Sequence, residues 1–418
     1  IRGHGGRRIR KPHFVLRGAS VRLGIYCDSG VNGGHEEMLK RLIHALVKCP
    51  GIVSLHILVP TENEAMSLFA KNIAGRHRQV TAISLPFTSE QIHRNPLALL
   101  SATWRTAALL RGLHLSKLVI AQGTIVSALA GLIAARLTRT IAVSYIPLVD
   151  DEAGAGAPAT ERIKFLVKRV LYQLPQQYIT LNDHLRGKLV KLAPATPTAI
   201  LENCVDDKFS NTALTRDAAR SLLSLPQSGK FICTHIGRIH FQHKRQNFLL
   251  AAIERNPDRF INSLVLIVGD GPDAAKLRQA VQASEVLSRC VRIIGPQSDV
   301  LPYIVASDVI VLPSGYEGVP LVMIEAILAG RPIVASQVSA LGSYLPAELL
   351  FPVHDQDAFV ERIFAAQTYP LAELTASFRL RFSREAFDAQ AQRVLLQPVP
   401  QRCFTDHLKH NPSDLGTK

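Results

Sequence analysis

The stretch "DVIVLPSGYEGVPLVMIEAILAGRPIVAS", Asp308 to Ser336, decides the fold. Val309 to Leu312 is a short run of aliphatic residues that ends in Pro313, Ser314 and Gly315, the residue types that turn a chain. Pro320 suits the first turn of a helix, which needs no amide hydrogen there, and the helix carries on through Glu325. "RPIVAS" then supplies a second buried strand. Strand, helix and strand in that order imply parallel strands covered by helices. Within this apolar unit stand two carboxylates, Glu317 in the loop and Glu325 on the helix. Charged side chains are rarely enclosed without a reason, so the pair marks either two exposed positions or a polar site cut into apolar walls.

The same rhythm runs outward in both directions. Upstream lie "VRLGIYC" before a helix from Glu36 to Val47, "VSLHILVP", "KLVIAQG" and "TIAVSYIPL"; after Pro226 come "KFICTHIGR", "SLVLIVGDG" and "CVRIIG". The polar, turn-rich segment Val205 to Gly229 separates the two series. The expected organisation is an α/β chain of two doubly wound domains, residues 21–204 and 205–397, with a basic leader at 1–20 and a loose tail at 398–418. The last helix, around Arg384 to Leu396, follows the pattern of the second domain. Ligands of such sheets gather at the carboxyl ends of the strands, so the site is expected in the cleft between the domains.

Bulk properties agree with this and exclude several classes. A chain of 418 residues with 47% apolar content fills two cores of ordinary size. Six cysteines lie far apart, without CxxC or zinc-ligand spacing, which suits a reducing cytosol and no metal site. The net charge of +15 is weighted by seven basic residues in the first 22 positions and lacks aromatic interleaving, so no nucleic-acid partner is expected. The leader lacks the apolar core of a secretory signal, though an organelle presequence is another reading of it. The weakly polar run Leu118 to Ala135 breaks at "QGT" and reads as a strand and a helix, not a membrane span.

Four motifs carry chemistry. Gly269, Gly271 and Ala274 match a dinucleotide fingerprint, but the acid expected at the end of the next strand is missing, where Ile294, Gly295 and Pro296 stand. A tight strand-to-helix turn explains those glycines as well. Gly33 and Gly34 open a helix after the first strand without the GKS or GKT of a P-loop, and read either as a plain turn or as a place where a phosphate or sugar approaches unpaired amides. Arg238 and Lys244 follow the first strand of the second domain and read either as a solvated basic loop or as two cations pointing into the cleft, where they would stabilise a departing diphosphate without a metal. Glu317 and Glu325 can reach the same cleft, with the free amides of Leu321 and Val322 beside them.

Taken together, "HIGRIHFQHKRQNFLLAA", "LVLIVGDGP", "LENCVDDKF" and the opening stretch resemble, in order and spacing, the family-four retaining glycosyltransferases. The resemblance is strong from Leu201 to Ser336 and weaker before it. It implies a GT-B fold, two Rossmann-like domains facing across a cleft, with the acceptor on the first and a nucleotide sugar on the second. It implies catalytic roles for Arg238 and Lys244 at the diphosphate and Glu317 at the donor sugar. Glu325 would bond the ribose and Ile294 would meet the base, with Gly318, Leu321, Val322, Gly33 and Gly34 completing the donor site. The donor is expected to be a UDP-, GDP- or ADP-sugar used without a metal cofactor, and the acceptor a saccharide or lipid-linked molecule.

Departures from the family pattern are local. Tyr145, Ile146 and Pro147 stand where many members have a histidine, and the linker reads Asn203, Cys204, Val205, Asp206 instead of Asn-Gly-Val-Asp. Asp355 and Asp357 form the sole DxD and read as a surface turn. Thr160 to Leu174 spaces Ile163, Leu166, Val167, Val170, Leu171 and Leu174 along one helical face beside basic residues, which fits a packed surface helix or contact with an anionic membrane. The expected location is cytoplasmic, with a peripheral place on the inner face of the membrane as part of that second reading. A nucleotide-sugar epimerase of the same fold and a non-catalytic saccharide-binding protein are the alternative functions.

Overall fold

The computed structural model describes residues 20–31, 33–93, 95–149, 159–338 and 341–399. The basic leader and most of the tail lie outside them. Seven strands, β1 (Val21–Tyr26), β2 (Ile52–Pro60), β3 (Val80–Leu85), β4 (Lys117–Ala121), β5 (Ile141–Tyr145), β6 (Gln177–Thr180) and β7 (Thr198–Ile200), form the first sheet in the order β3-β2-β1-β4-β5-β6-β7. Six more, β8 (Phe231–Ile236), β9 (Ser263–Val268), β10 (Val291–Gly295), β11 (Val309–Leu312), β12 (Ile333–Ser336) and β13 (Leu350–Phe351), form the second as β10-β9-β8-β11-β12-β13. Every pairing is parallel. β4 and β9 are buried at every position, as expected of strands covered on both faces.

Strand order reverses between β1 and β4 in the first sheet and between β8 and β11 in the second. At such a reversal the connecting helices leave on opposite faces and open a crevice at the carboxyl ends of the strands. Helix α1 (Gly34–Val47) follows β1, α2 (Ala159–Leu171) follows β5, α3 (Gln246–Arg255) follows β8, α4 (Leu321–Leu328) follows β11, and α5 (Arg384–Leu396) is the last described helix. In α1 the spacing of Met38, Leu39, Leu42 and Leu46 lays one buried stripe on the sheet. Buried side chains continue from Leu181 and Leu201 through Cys204 and Val205 to Val319 and Met323, so the base of the cleft is packed.

One expectation fails. Helix α5 does not continue the second domain; it packs on α1 and returns to the first. Phe387, Ala391, Val394 and Leu395 are its buried stripe. The buried Lys117 on β4 donates from Nζ to Leu395 O at 2.8 Å and Gln397 O at 2.5 Å, meeting carbonyls that a helix end leaves unpaired. Arg384 Nη2 donates to Arg41 O at 3.4 Å. Sequence periodicity identifies the apolar stripe of a helix, but it does not name the surface that the stripe meets.

Candidate active site

The loops that leave β8 and β11 are neighbours because their strands pair at the reversal. Behind them stands the turn after β9. A Cβ on Gly269, whose φ is +144°, would lie 2.0 Å from Gly237 O, and one on Gly271 would lie 2.2 Å from Ile239 O. Asp273 Oδ2 accepts from Phe241 N at 2.9 Å. The GxGxxA motif therefore lets one backbone press against the loop that carries Arg238, a role that the tight-turn reading did not name.

That loop is also held from inside the domain. His235, fully buried in β8, has Nδ1 3.0 Å from Val311 O, and Gln246 Nε2 donates to its Nε2 at 2.9 Å. The second contact makes Nε2 the acceptor and places the proton on Nδ1. Burial pushes the imidazole down to about 4, so it stays neutral. Gln246 also donates to Arg238 O at 2.9 Å and accepts from His240 N at 3.2 Å. The two polar residues brace the loop on both sides of Arg238. A histidine inside the apolar run "FICTHI" was the available signal for this brace.

Lys244 Nζ meets Glu317 Oε1 at 2.5 Å, joining the two loops by an ion pair. Glu317 is 6% exposed and Lys244 Nζ lies on the side of Glu317 reached from β8. Arg238 is exposed, and Gly237 before it leaves Lys244 Cε 3.7 Å from its missing Cβ. Gly318 touches the first domain: a Cβ there would lie 2.9 Å from Pro147 O and 3.3 Å from Leu181 Cδ1. Asn203, from the linker, donates to Val319 O at 2.6 Å and pins the same loop. The glycine and the linker asparagine thus fix where the second domain meets the first.

Helix α4 begins at Leu321, with Val322 buried and Pro320 as its cap. Leu321 and Glu325 are four residues apart and share a face. Glu325 keeps a strip of accessible surface, yet burial among apolar neighbours pushes its carboxyl up to about 7, partly offset by the Arg41 guanidinium across the cleft. Arg41 lies in α1 and pairs with Asp206 at 3.4 Å. It places a buried cation of the first domain in the electrostatic field of Glu325, a role that spacing along the sequence did not suggest. Ile294 is half-buried at the end of β10, beside Gly295, whose φ is +81°.

On the opposite wall, α1 starts after Gly33. Gly33 N donates to Glu36 Oε2 at 2.9 Å, and a Cβ on Gly34 would lie 3.8 Å from Leu321 Cδ1. The first turns of α1 and α4 therefore face each other. His35 packs its ring on Tyr145 at 5.2 Å between centroids, and its Nε2 is buried without a hydrogen-bond partner. Burial holds that imidazole below its ordinary value. Asp28, buried at the end of β1, accepts from Tyr26 OH at 3.1 Å, and burial pushes it up to about 7. Asp355 and Asp357 take no part: Asp355 caps the helix Gln356–Ala365 and Asp357 pairs with Arg255. Among the described residues no cluster of three or more His, Cys, Asp or Glu could hold a metal ion.

The arrangement joins the buried carboxylate of Glu317 and the Lys244 ammonium beside two facing helix starts, with the exposed Arg238 on the same loop as Lys244. Residues 230–367 match the family described as Glycosyl transferases group 1. Over 174 residues the chain is 31% identical to the UDP-Gal:alpha-D-GlcNAc-diphosphoundecaprenol alpha-1,3-galactosyltransferase of Escherichia coli, covering 40% of this chain and 44% of that protein. Over 163 residues it is 34% identical to the D-inositol 3-phosphate glycosyltransferase of Corynebacterium urealyticum, covering 36% of each. The matched part of the chain thus spans less than half the length of these relatives. In fold, it is similar to Anabaena Alr3699/HepE in complex with UDP and glucose, with TM-score 0.69, 16% identity, and 90% of this chain and 99% of that one covered. WaaG, a glycosyltransferase involved in lipopolysaccharide biosynthesis, matches with TM-score 0.63, 13% identity, and 90% and 98% covered. Residues 230–367 are thus similar to the group 1 glycosyl transferases, and the chain has a GT-B fold.

Proposed function

We propose that this protein is a retaining glycosyltransferase that moves a sugar from a nucleoside diphosphate donor to a saccharide or lipid-linked acceptor in glycoconjugate or envelope polysaccharide synthesis. The observation that carries the reading is the Lys244–Glu317 pair at the strand reversal, beside the facing first turns of α1 and α4. Lys244, with Arg238, would neutralise the diphosphate, and the unpaired amides at Leu321 and Val322 would add partial positive charge. Glu317 would contact the donor sugar and Glu325 the ribose hydroxyls, with Ile294 against the base. The acceptor hydroxyl attacks the anomeric carbon on the face that the diphosphate leaves. The bond from that carbon to the phosphate oxygen breaks, the new glycosidic bond forms, and the departing phosphate takes the hydroxyl proton. The site cations supply the charge in this scheme, so it requires no metal.

A uridine nucleotide is the favoured donor, because the HepE complexes contain UDP and UDP-glucose and the Escherichia coli relative is named for UDP-Gal. The test is thermal shift with UDP-, GDP- and ADP-sugars, with and without magnesium, on wild type and on Arg238→Ala with Lys244→Ala. Ligands that bind only the native state raise the melting temperature. A magnesium-independent shift with one donor, lost in the double variant, supports the reading; no shift with any donor from folded protein sinks it. Magnetic resonance of the product then reads retention at the anomeric carbon, while an epimer formed without transfer would favour the epimerase.

Helix α2 favours a peripheral place on the cytoplasmic face of a membrane. Phe165, Leu171 and the following Tyr172 turn inward, whereas Ile163, Leu166, Val167 and Val170 are 55–65% exposed beside the exposed Lys164 and Arg169. An outward apolar stripe flanked by cations suits an anionic bilayer. No helix among the described residues is long and apolar enough to cross one. Co-sedimentation with phosphatidylglycerol vesicles, absent with phosphatidylcholine and lost in Leu166→Asp with Val170→Asp, is the expected result.

A further inference from the structure

His243 and Tyr316 have no part in the scheme above, yet each directly precedes one member of the Lys244–Glu317 pair. Their rings stack with centroids 4.0 Å apart and planes 1° from parallel. His243 Nε2 lies 3.0 Å from Tyr316 O, and Gly315 N donates to His243 O at 2.8 Å. A Cβ on Gly315 would meet Gln242 O at 3.3 Å and Arg245 Cδ at 3.4 Å, so the glycine lets the two loops approach. One residue further along both loops comes the ion pair.

We propose that the His243–Tyr316 stack is a clasp between the β8 and β11 loops that positions Glu317 against Lys244 for glycosyl transfer. The inference rests on the function proposed above. A lysine ammonium is a point charge on a flexible stem and accepts a carboxylate from many directions, so the ion pair alone leaves the orientation of Glu317 loose. Two flat rings in contact, with a hydrogen bond from one ring to the backbone beneath the other, remove that freedom. Burial gives a poor account of the aromatic residue, since Tyr316 is 45% exposed. Tyr316 and His243 are therefore positioning residues, acting through their neighbours.

The experiment measures UDP affinity by calorimetry and release of UDP from UDP-sugars at steady state, in wild type, Tyr316→Ala, Tyr316→Phe and His243→Ala. Loss of the stack is expected to lower kcat about a hundred-fold, the effect of misplacing a reacting group by roughly an ångström, with UDP affinity kept within about twofold. Tyr316→Phe is expected to restore kcat, because the ring and the backbone acceptor both remain. Unchanged kcat in Tyr316→Ala, equal loss of kcat and UDP affinity, or a Phe variant as poor as the Ala variant would each overturn the clasp. A wild type that neither binds nor consumes any UDP-, GDP- or ADP-sugar would instead sink the function proposed above. The clasp is then decided by unfolding of Tyr316→Ala, Lys244→Met and their combination. Coupling of at least about twofold in the unfolding equilibrium supports it, and additivity overturns it.

Discussion

The two strand reversals have the same topology and different chemistry. At β8 and β11 the loops are joined by an ion pair, a ring stack and backbone hydrogen bonds, and they are backed by the glycine turn after β9 and the buried His235–Gln246 brace. At β1 and β4 the wall consists of the amides of Gly33 and Gly34, the His35–Tyr145 contact and the buried Asp28. Parallel topology places both crevices, and polar contacts hold the loops of each: Asn63 donates to Ser29 O and Val31 O after β1, and the buried Gln122 donates to Ile125 O and Ser127 O after β4, whereas at β8 and β11 an ion pair and a ring stack join the two loops to each other. A diphosphate imposes fixed charge requirements wherever it binds, whereas an acceptor of unspecified shape imposes none that topology can foretell.

The largest contrast is expected in turnover. Lys244→Ala or Glu317→Ala should lower kcat/KM by about 10²–10³, the scale of removing one fixed electrostatic contact to a transition state. Lys244→Ala should also reduce stability by about 3–5 kcal/mol in urea unfolding, because the buried Glu317 is left uncompensated. Gly34→Ala, whose Cβ finds ordinary contact at 3.8 Å, should stay within about 0.5 kcal/mol of wild type. Equal effects at the two walls would break the comparison.

Gly271→Ala tests the support behind the loop that carries Arg238. Its Cβ would meet Ile239 O at 2.2 Å, so the backbone must move, at about 1–3 kcal/mol of stability and with weaker nucleotide binding through the displaced Arg238 loop. Calorimetry with UDP reads the second effect. A variant that binds UDP as wild type does would show that the turn after β9 does not set the site.

Glu325 tests the electrostatics through pH. Its folded carboxyl is raised to about 7 from an ordinary 4.5, so the folded state holds a proton that the unfolded chain has lost between those values. Stability therefore falls as pH rises from about 4.5 to 7 and is level above that. Glu325→Gln should be more stable than wild type above pH 7, by on the order of 1–3 kcal/mol, with the difference fading towards pH 4.5. Urea midpoints across that range check it.

His35→Phe carries a small expected effect. The imidazole has an unpartnered buried nitrogen and packs on Tyr145, so an apolar ring should be neutral or stabilising within about 1 kcal/mol. A strong loss of turnover at unchanged stability would show that the first domain also places a polar group on a substrate, and would sharpen the contrast into one between donor and acceptor chemistry.

The parallel α/β architecture was legible because β4, β9 and β11 are short, largely aliphatic runs closed by turn residues, a pattern that requires no knowledge of distant neighbours. β6 and β7 escaped because Gln177 to Thr180 and Thr198 to Ile200 are too short and mixed to stand out. Arg238, Lys244, Glu317 and Glu325 were legible as charged residues at strand and helix ends, where ligand chemistry concentrates charge. Arg41, His235, Gln246 and the His243–Tyr316 stack were not, since their contacts join segments far apart in the chain.

By itself, then, the sequence determined the alternation of strand and helix, the two sheets and the charged residues available to the cleft, because local periodicity and turn chemistry act over a few residues. Only the tertiary structure decided that α5 returns to the first domain, that Gly269 and Gly271 serve the packing of two backbones, and that Lys244 meets Glu317. Those outcomes depend on which surfaces come together when both sheets pack, and that information lies in pairs of residues distant in sequence.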